Sequence, residues 1–182
     1  KSSEEEVEQQ IKLAVKYFVY ADQDVQILDQ LLNKKITSIF YICDALVKES
    51  DKLQQSKCNE VKGVIFDTFD WSKCAYPLKI PIIRVSAHPS FHEPRFAQEV
   101  VDMHRQSDNM LFFREAILLG HPCFDRPQLR HLSREVFGNV PPFVQRAIYS
   151  AVKDHEKLTQ DQKRPLLKNM KQQADDWFIN QI

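Results

Sequence analysis

The chain has 182 residues, 43% of them hydrophobic and 27% charged, and its 25 Lys/Arg balance its 25 Asp/Glu. This balance excludes a disordered segment, a globally basic nucleic-acid binder and a strongly acidic mimic, and the length suffices to bury a core without staples. Only three glycines occur, against about 7% in average usage, which disfavours Gly-rich phosphate loops and hairpin-rich β folds and points to helices.

Ser3 followed by Glu6 has the form of a capping box, with Glu4 and Glu5 suited to the positive end of a helix dipole. Behind it Val7, Ile11, Ala14, Phe18 and Ala21 recur at helical spacing. Asp22 or Asp24 is positioned to cap a second helix carrying Val25, Leu28, Leu31 and Leu32. A third follows with Ile36, Ile39, Phe40, Cys43, Leu46 and Val47. Residues 49–60 are polar and read as a loop. The stretch 61–71 is ambiguous, since Val61, Ile65 and Phe69 fit a helix while its β-branched content suits a strand.

From Trp71 to Pro94 four prolines (Pro77, Pro81, Pro89, Pro94) argue against a continuous helix, because each removes an amide donor and crowds the preceding turn. The segment 79–87 is the best strand candidate in the chain. An extended connector around residues 72–94 is the expectation.

Helical spacing resumes with Phe96, Val100 and Met103. Ser107 suits the cap of a helix carrying Met110, Phe113, Ala116 and Ile117, ended by Gly120 and Pro122. Asp125 as cap and Pro127 in the first turn open a helix with Leu129, Leu132 and Val136, closed by Gly138. Pro141-Pro142 start another, with Val144, Ala147, Ile148, Ala151 and Val152 inward. Thr159 and Gln162 form a second capping-box pattern before Leu166, Leu167, Met170, Ala174, Trp177 and Phe178, with Pro165 near the first turn. The expected fold is mainly α, an irregular multi-helix bundle of about seven to nine helices in a single domain, 1–182. A subdivision into 1–71 and 95–182 around the connector is the alternative. No fixed-period repeat and no low-complexity segment occur.

Charge drifts along the chain: residues 1–60 carry eight Lys/Arg against eleven Asp/Glu, and residues 121–182 carry ten against seven. The start at Lys1 suggests a piece of a larger protein. No apolar run is long enough to span a membrane. The four cysteines (Cys43, Cys58, Cys74, Cys123) form no CxxC pair, and the Asn-x-Ser/Thr pattern is absent, which favours a reducing, cytoplasmic setting.

Five constellations are candidates for chemistry. Arg126, Arg130 and Arg134 recur every four residues along one helix flank, with Arg146 and Lys153 following, and guanidinium groups so spaced suit phosphates or an acidic peptide. His88 and His92 stand four apart, as helical metal ligands do, with His104 downstream, although Pro89 and Pro94 bracket the pair and interrupt the helix that the spacing needs. In the segment 120–125, Cys123 lies near His121 and Asp125, although the plainer reading makes Asp125 a helix cap and Cys123 a small buried hydrophobe. The carboxylate pairs Asp67/Asp70 and Asp175/Asp176 lack a catalytic setting, and the aromatics Phe66, Phe69, Trp71, Tyr76 and Phe91 line either a core junction or an open groove.

A protein-interaction or scaffold module with no cofactor is the leading expectation, its partner another protein with an acidic or phosphorylated surface. The alternatives are a helical ligand- or metal-binding enzyme domain using the His88–His104 region, and phosphate recognition by the arginine face. Nucleic acid is disfavoured by the neutral charge.

Overall fold

The computed structural model describes residues 2–21, 26–34, 38–67, 70–106, 108 and 110–174. Among them the chain forms ten α-helices: α1 (Ser2–Tyr20), α2 (Gln26–Lys34), α3 (Ser38–Glu49), α4 (Gln55–Lys62), α5 (Tyr76–Ala87), α6 (Ala97–Asp102), α7 (Met110–Gly120), α8 (Arg126–His131), α9 (Pro142–Lys153) and α10 (Gln160–Gln173). No strand occurs among the described residues, so the fold is mainly α. No described helix is long and apolar enough to cross a membrane. The helices fall into two compact units, Lys1–Glu93 and Pro94–Ile182.

In the first unit α3 packs against α1, α2 and α5. The core stripe of α1 is Ile11, Val15 and Phe18, each no more than 1% exposed, while Val7 is 38% exposed. The predicted stripe therefore holds at Ile11 and Phe18 and is rotated towards Val15, by about half of one residue's turn. Ile11, Val15 and Phe18 repeat at i, i+4, i+7 and hide more hydrocarbon than Val7, Ala14 and Ala21 would.

The carbonyls at the C-terminal end of α1 have no partner within the helix. One of them, on Phe18, accepts a hydrogen bond from the buried Lys57 ammonium. The same ammonium stands 4.6 Å from the Phe18 ring centroid. A cation at the negative end of a helix dipole offsets part of its own desolvation.

Two expectations are corrected here. Residues 49–60 are not a loop: a 3₁₀ turn, Ser50–Lys52, leads into α4, which continues as a π-helical turn, Gly63–Asp67. α4 escapes notice because Cys58 and Val61 are its only buried apolar side chains. The segment 72–94 is not an extended connector either, since α5 runs through its middle. Pro77 sits in the first turn, where no amide partner is lost, and Pro81 alone breaks a bond within the helix. An interior proline costs about 3 kcal/mol. Burial of Ile82, Ile83 and Val85, each at 1% exposure or less, outweighs that cost.

In the second unit α9 packs against α7 and α10, and α10 also reaches the π-helical turn Leu132–Val136 that continues α8. Val144, Ala147, Ile148, Ala151 and Val152 face inward as the periodicity predicts, together with Phe113, Phe124 and Phe137. Two predicted helix starts are realised as complete capping boxes: Asp125, expected as a cap, with Gln128, and Thr159 with Gln162. The Asp125 carboxylate accepts from the Gln128 amide at 2.8 Å. Asp125→Ala is expected to cost about 1 kcal/mol in chemical denaturation, and Asp125→Asn much less. Equal losses would show that the cap is not what Asp125 contributes. The buried Lys163 ammonium donates to the Lys153 carbonyl at 2.7 Å, a second lysine held at a helix C-terminus.

The caps proposed at Asp22, Asp24 and Ser107, the residues Val25, Ile36, Phe69, Trp177 and Phe178, and the pair Asp175/Asp176 lie outside the described residues, as do the side chains of Leu31 and Leu32.

Candidate functional site

Arg126 and Arg130 are exposed on α8, and Arg146 is exposed on α9. Arg134 is exposed too, but it lies in the π-helical turn after α8. A π turn takes more residues than an α turn, so Arg134 falls off the line that a uniform helix would draw through Arg126 and Arg130. Among the described residues no carboxylate pairs with Arg126, Arg130 or Arg134.

The structure does not gather the three candidate histidines. His88 and His92 belong to the first unit and His104 to the second. His88 closes α5, and its ring is fully used: the Ser90 amide donates to Nδ1 at 3.2 Å, which leaves Nε2 protonated and 3.0 Å from the Ser50 hydroxyl. That hydroxyl in turn donates to the Val47 carbonyl at 2.7 Å. His92 is exposed, with a left-handed φ of 40°. His104 donates from Nδ1 to the Val101 carbonyl at 2.7 Å and stands edge-on to His131, 5.7 Å between centroids. Among the described residues no group of three or more His, Cys, Asp or Glu side chains is placed to hold a metal ion.

Asp125 is the cap described above, and Cys123 is buried. Burial raises the thiols of Cys43, Cys58 and Cys74 above the ordinary range, which disfavours the nucleophilic thiolate. His121 instead faces a residue that spacing alone does not connect to it, His155, with ring centroids 6.3 Å apart. The Lys157 amide donates to Nδ1 of His155 at 3.3 Å, and its Nε2–H donates to the His121 carbonyl at 3.0 Å. Nδ1 of His121 is buried without a partner.

Asp70 caps a 3₁₀ turn through the Ser72 amide and pairs with Lys73, and those contacts, the Ser72 hydroxyl first, hold its carboxyl below the usual range. Of the aromatic cluster, Phe66 and Phe91 are buried. Trp71 and Tyr76 are half-buried, and the Lys79 ammonium lies 5.0 Å from each ring centroid.

The candidate that periodicity alone does not reveal lies on α1. Leu13, Tyr17 and Tyr20 are 55%, 53% and 55% exposed. Their i, i+4, i+7 spacing sets them on the side of the helix opposite Ile11, Val15 and Phe18. A groove of about 280 Å³ runs between this side and α3, walled by Lys12, Leu13 and Lys16 from α1 and by Ala45, Lys48 and Glu49 from α3. Glu8 holds the Lys12 ammonium above its ordinary pKa, and Lys48 holds the Asp44 carboxyl below its own. Lys16 has no carboxylate partner among the described residues. The Tyr20 hydroxyl donates to Glu49 at 2.6 Å, and the Lys52 ammonium lies 5.3 Å from the Tyr20 ring centroid. The signal is present in the chain as a second apolar stripe on α1. The periodicity of Val7, Ile11, Ala14, Phe18 and Ala21 marks a single apolar side, and only the exposure of Leu13, Tyr17 and Tyr20 sets the second stripe apart.

A second open groove, about 500 Å³, follows the outer side of α10 along Arg164, Leu167, Lys168 and Lys171. Arg164 is already paired with Asp161 at 3.0 Å. Comparison with protein-family models, with curated proteins and with solved structures finds no match to this chain.

Proposed function

We propose that this chain is a protein-interaction module and that its docking face is the outer side of α1. The observation that carries this reading is the second apolar stripe, Leu13, Tyr17 and Tyr20, more than half exposed at each position. A helix on the surface of a globular protein ordinarily has one apolar stripe, turned to the core, and a polar opposite face. α1 has an apolar stripe on both sides, and one of them is covered by α3 and the core. Tyrosine is a favoured contact residue because it offers a large rigid surface with a polar tip. The i, i+4, i+7 spacing is the pattern by which helices read one another.

Phosphate recognition by Arg126, Arg130 and Arg134 is the second reading, favoured by their exposure and by the lack, among the described residues, of a carboxylate paired with any of the three. One assay separates the two. Helical peptides displayed on phage are selected against the full chain, and the winners are measured on two variants. Leu13→Asp/Tyr17→Asp is expected to weaken them about tenfold or more, because an apolar side chain that is no longer buried against the peptide forfeits about 1.5–3 kcal/mol. Arg126→Glu/Arg130→Glu/Arg134→Glu is expected to leave them unchanged. The reverse result moves the docking face to the arginines, and a selection that yields no binder removes the reading.

A further inference from the structure

We infer that Trp71 and Tyr76 form an aromatic cage for a quaternary ammonium group, and that Lys79 of this chain occupies the cage as a built-in competitor. The two rings come from separate elements of the first unit. Trp71 opens the 3₁₀ turn Trp71–Lys73, and Tyr76 opens α5. The backbone that carries them is pinned. Asp70 accepts from the Ser72 amide at 3.1 Å, the Cys74 amide donates to the Trp71 carbonyl at 3.2 Å, and Pro77 sets the first turn of α5. The two walls are therefore in position before a ligand arrives, which spares binding part of the cost of ordering them.

Lys79 shows what the space between the rings accepts. Its ammonium stands 5.0 Å from each ring centroid, and among the described residues it has no hydrogen bond and no carboxylate partner. Asp70, the nearest acid in the sequence, is engaged by Lys73 at 3.1 Å. The rings hold the cation, and both are half-buried, so their faces remain within reach of solvent. The distance selects the ligand. A bare ammonium in contact with a ring face stands about 3.5–4 Å from it. A methyl carbon at that contact distance, bonded at about 1.5 Å, puts its nitrogen about 5 Å away. Lys79 therefore leaves on each ring the gap that an N-methyl group fills. A methylated nitrogen also sheds water at lower cost than the strongly hydrated primary ammonium. Two exposed cation–π contacts favour the closed arrangement about five- to thirtyfold over the open one. A ligand binds the closed cage more weakly by that factor than it binds rings already vacated.

The test titrates the full chain with choline, with its neutral isostere in which a tert-butyl group replaces the trimethylammonium, and with a lysine peptide in unmodified and trimethylated forms. Binding is read from the ring-current shift of the probe protons nearest the charged nitrogen or its carbon replacement. Lys79→Ala is expected to tighten choline and the trimethylated peptide about five- to thirtyfold, with the isostere and the unmodified peptide far weaker. In that background Tyr76→Leu is expected to abolish the shift and Tyr76→Phe to keep it, with far-UV circular dichroism confirming that each variant folds. Trp71→Phe, which keeps a ring but weakens its attraction for a cation, is expected to weaken both ligands several-fold, and serves alone if Tyr76→Leu does not fold. A trimethylated peptide bound tighter than choline names a modified protein segment as the source, and the reverse order names a choline compound. Absence of binding to a folded Lys79→Ala variant overturns the cage, and so do affinities that Trp71→Phe leaves unchanged. An isostere as tight as choline, or an unmodified peptide as tight as the trimethylated one, overturns the quaternary-ammonium assignment. Affinities that Lys79→Ala does not move overturn the role of Lys79 as competitor.

Discussion

Replacing Phe18 with alanine is expected to lower the stability of the first unit by about 3–5 kcal/mol, read by urea denaturation on Trp71 fluorescence in a Trp177→Phe background. Phe18 is 0% exposed and closes the core stripe that begins at Ile11. Its removal forfeits the transfer free energy of the ring and leaves a hole that α3 cannot fill without moving. A second loss is specific to this site. The Lys57 ammonium is buried, with the Phe18 carbonyl as acceptor and the Phe18 ring as its cation–π partner. Without the ring that ammonium keeps its hydrogen bond and loses the face it lies over. Lys57→Met retains the aliphatic stem and removes the donor, so its cost isolates the capped carbonyl, about 1–3 kcal/mol. A single domain holds only about 5–15 kcal/mol in all, so the alanine variant removes a large share of what keeps α1 in place. A loss below about 1 kcal/mol would mean that α1 is not anchored through Phe18, and the face opposite it could not be presented as a rigid docking surface.

That dependence of the outer face on the inner one explains what is legible in the chain and what is not. Local chemistry can be read directly at two helix starts, whereas the capping-box pattern of Ser3 and Glu6 falls inside α1. Asp125 with Gln128 and Thr159 with Gln162 are helix starts because the side chain and the amide it satisfies lie three residues apart. The inward set of α9 is readable because five apolar residues on one side leave no second choice of face. Where tertiary burial decides, the chain is silent. Pro77 and Pro81 carry the same local preference in a connector as in α5. The burial of Ile82, Ile83 and Val85 selects the helix. The π-helical turns Gly63–Asp67 and Leu132–Val136 have no composition of their own, and the second displaces Arg134 from the row that four-residue spacing suggests. The α1 site is hidden by the same ambiguity: Val7, Ile11, Leu13, Val15, Tyr17 and Phe18 are all apolar, and only packing divides them into core and surface.

Acidification should destabilise the second unit through His121 and His155, before the carboxylates titrate. Burial, the largest cause in both, pushes each imidazole below its ordinary value. His155 lowers His121 further while Asp154 and Glu156 oppose, and Lys157 and Lys163 lower His155 against its bond to the His121 carbonyl. The unfolded chain therefore takes up protons first as pH falls. Stability is whole above about pH 6.5 and drains as pH drops from there towards the folded values, by at most about 1.4 kcal/mol per pH unit for each proton. The structural cost is visible at His155, which is 2% exposed. Its Nδ1 accepts from the Lys157 amide, and a proton on that nitrogen breaks the bond and leaves the amide facing a cation. His155→Gln removes the titration and keeps a side-chain amide that reaches for the His121 carbonyl. The expected result is a shallower dependence of unfolding free energy on pH between 7 and 5, with a cost of about 1–3 kcal/mol at pH 8. Combining it with His121→Gln should flatten that range further. If both variants lose stability on acidification as steeply as the parent chain, the acid-sensitive group lies elsewhere, and the imidazole pair contributes packing alone to the joint between the α7–α8 and α9–α10 turns.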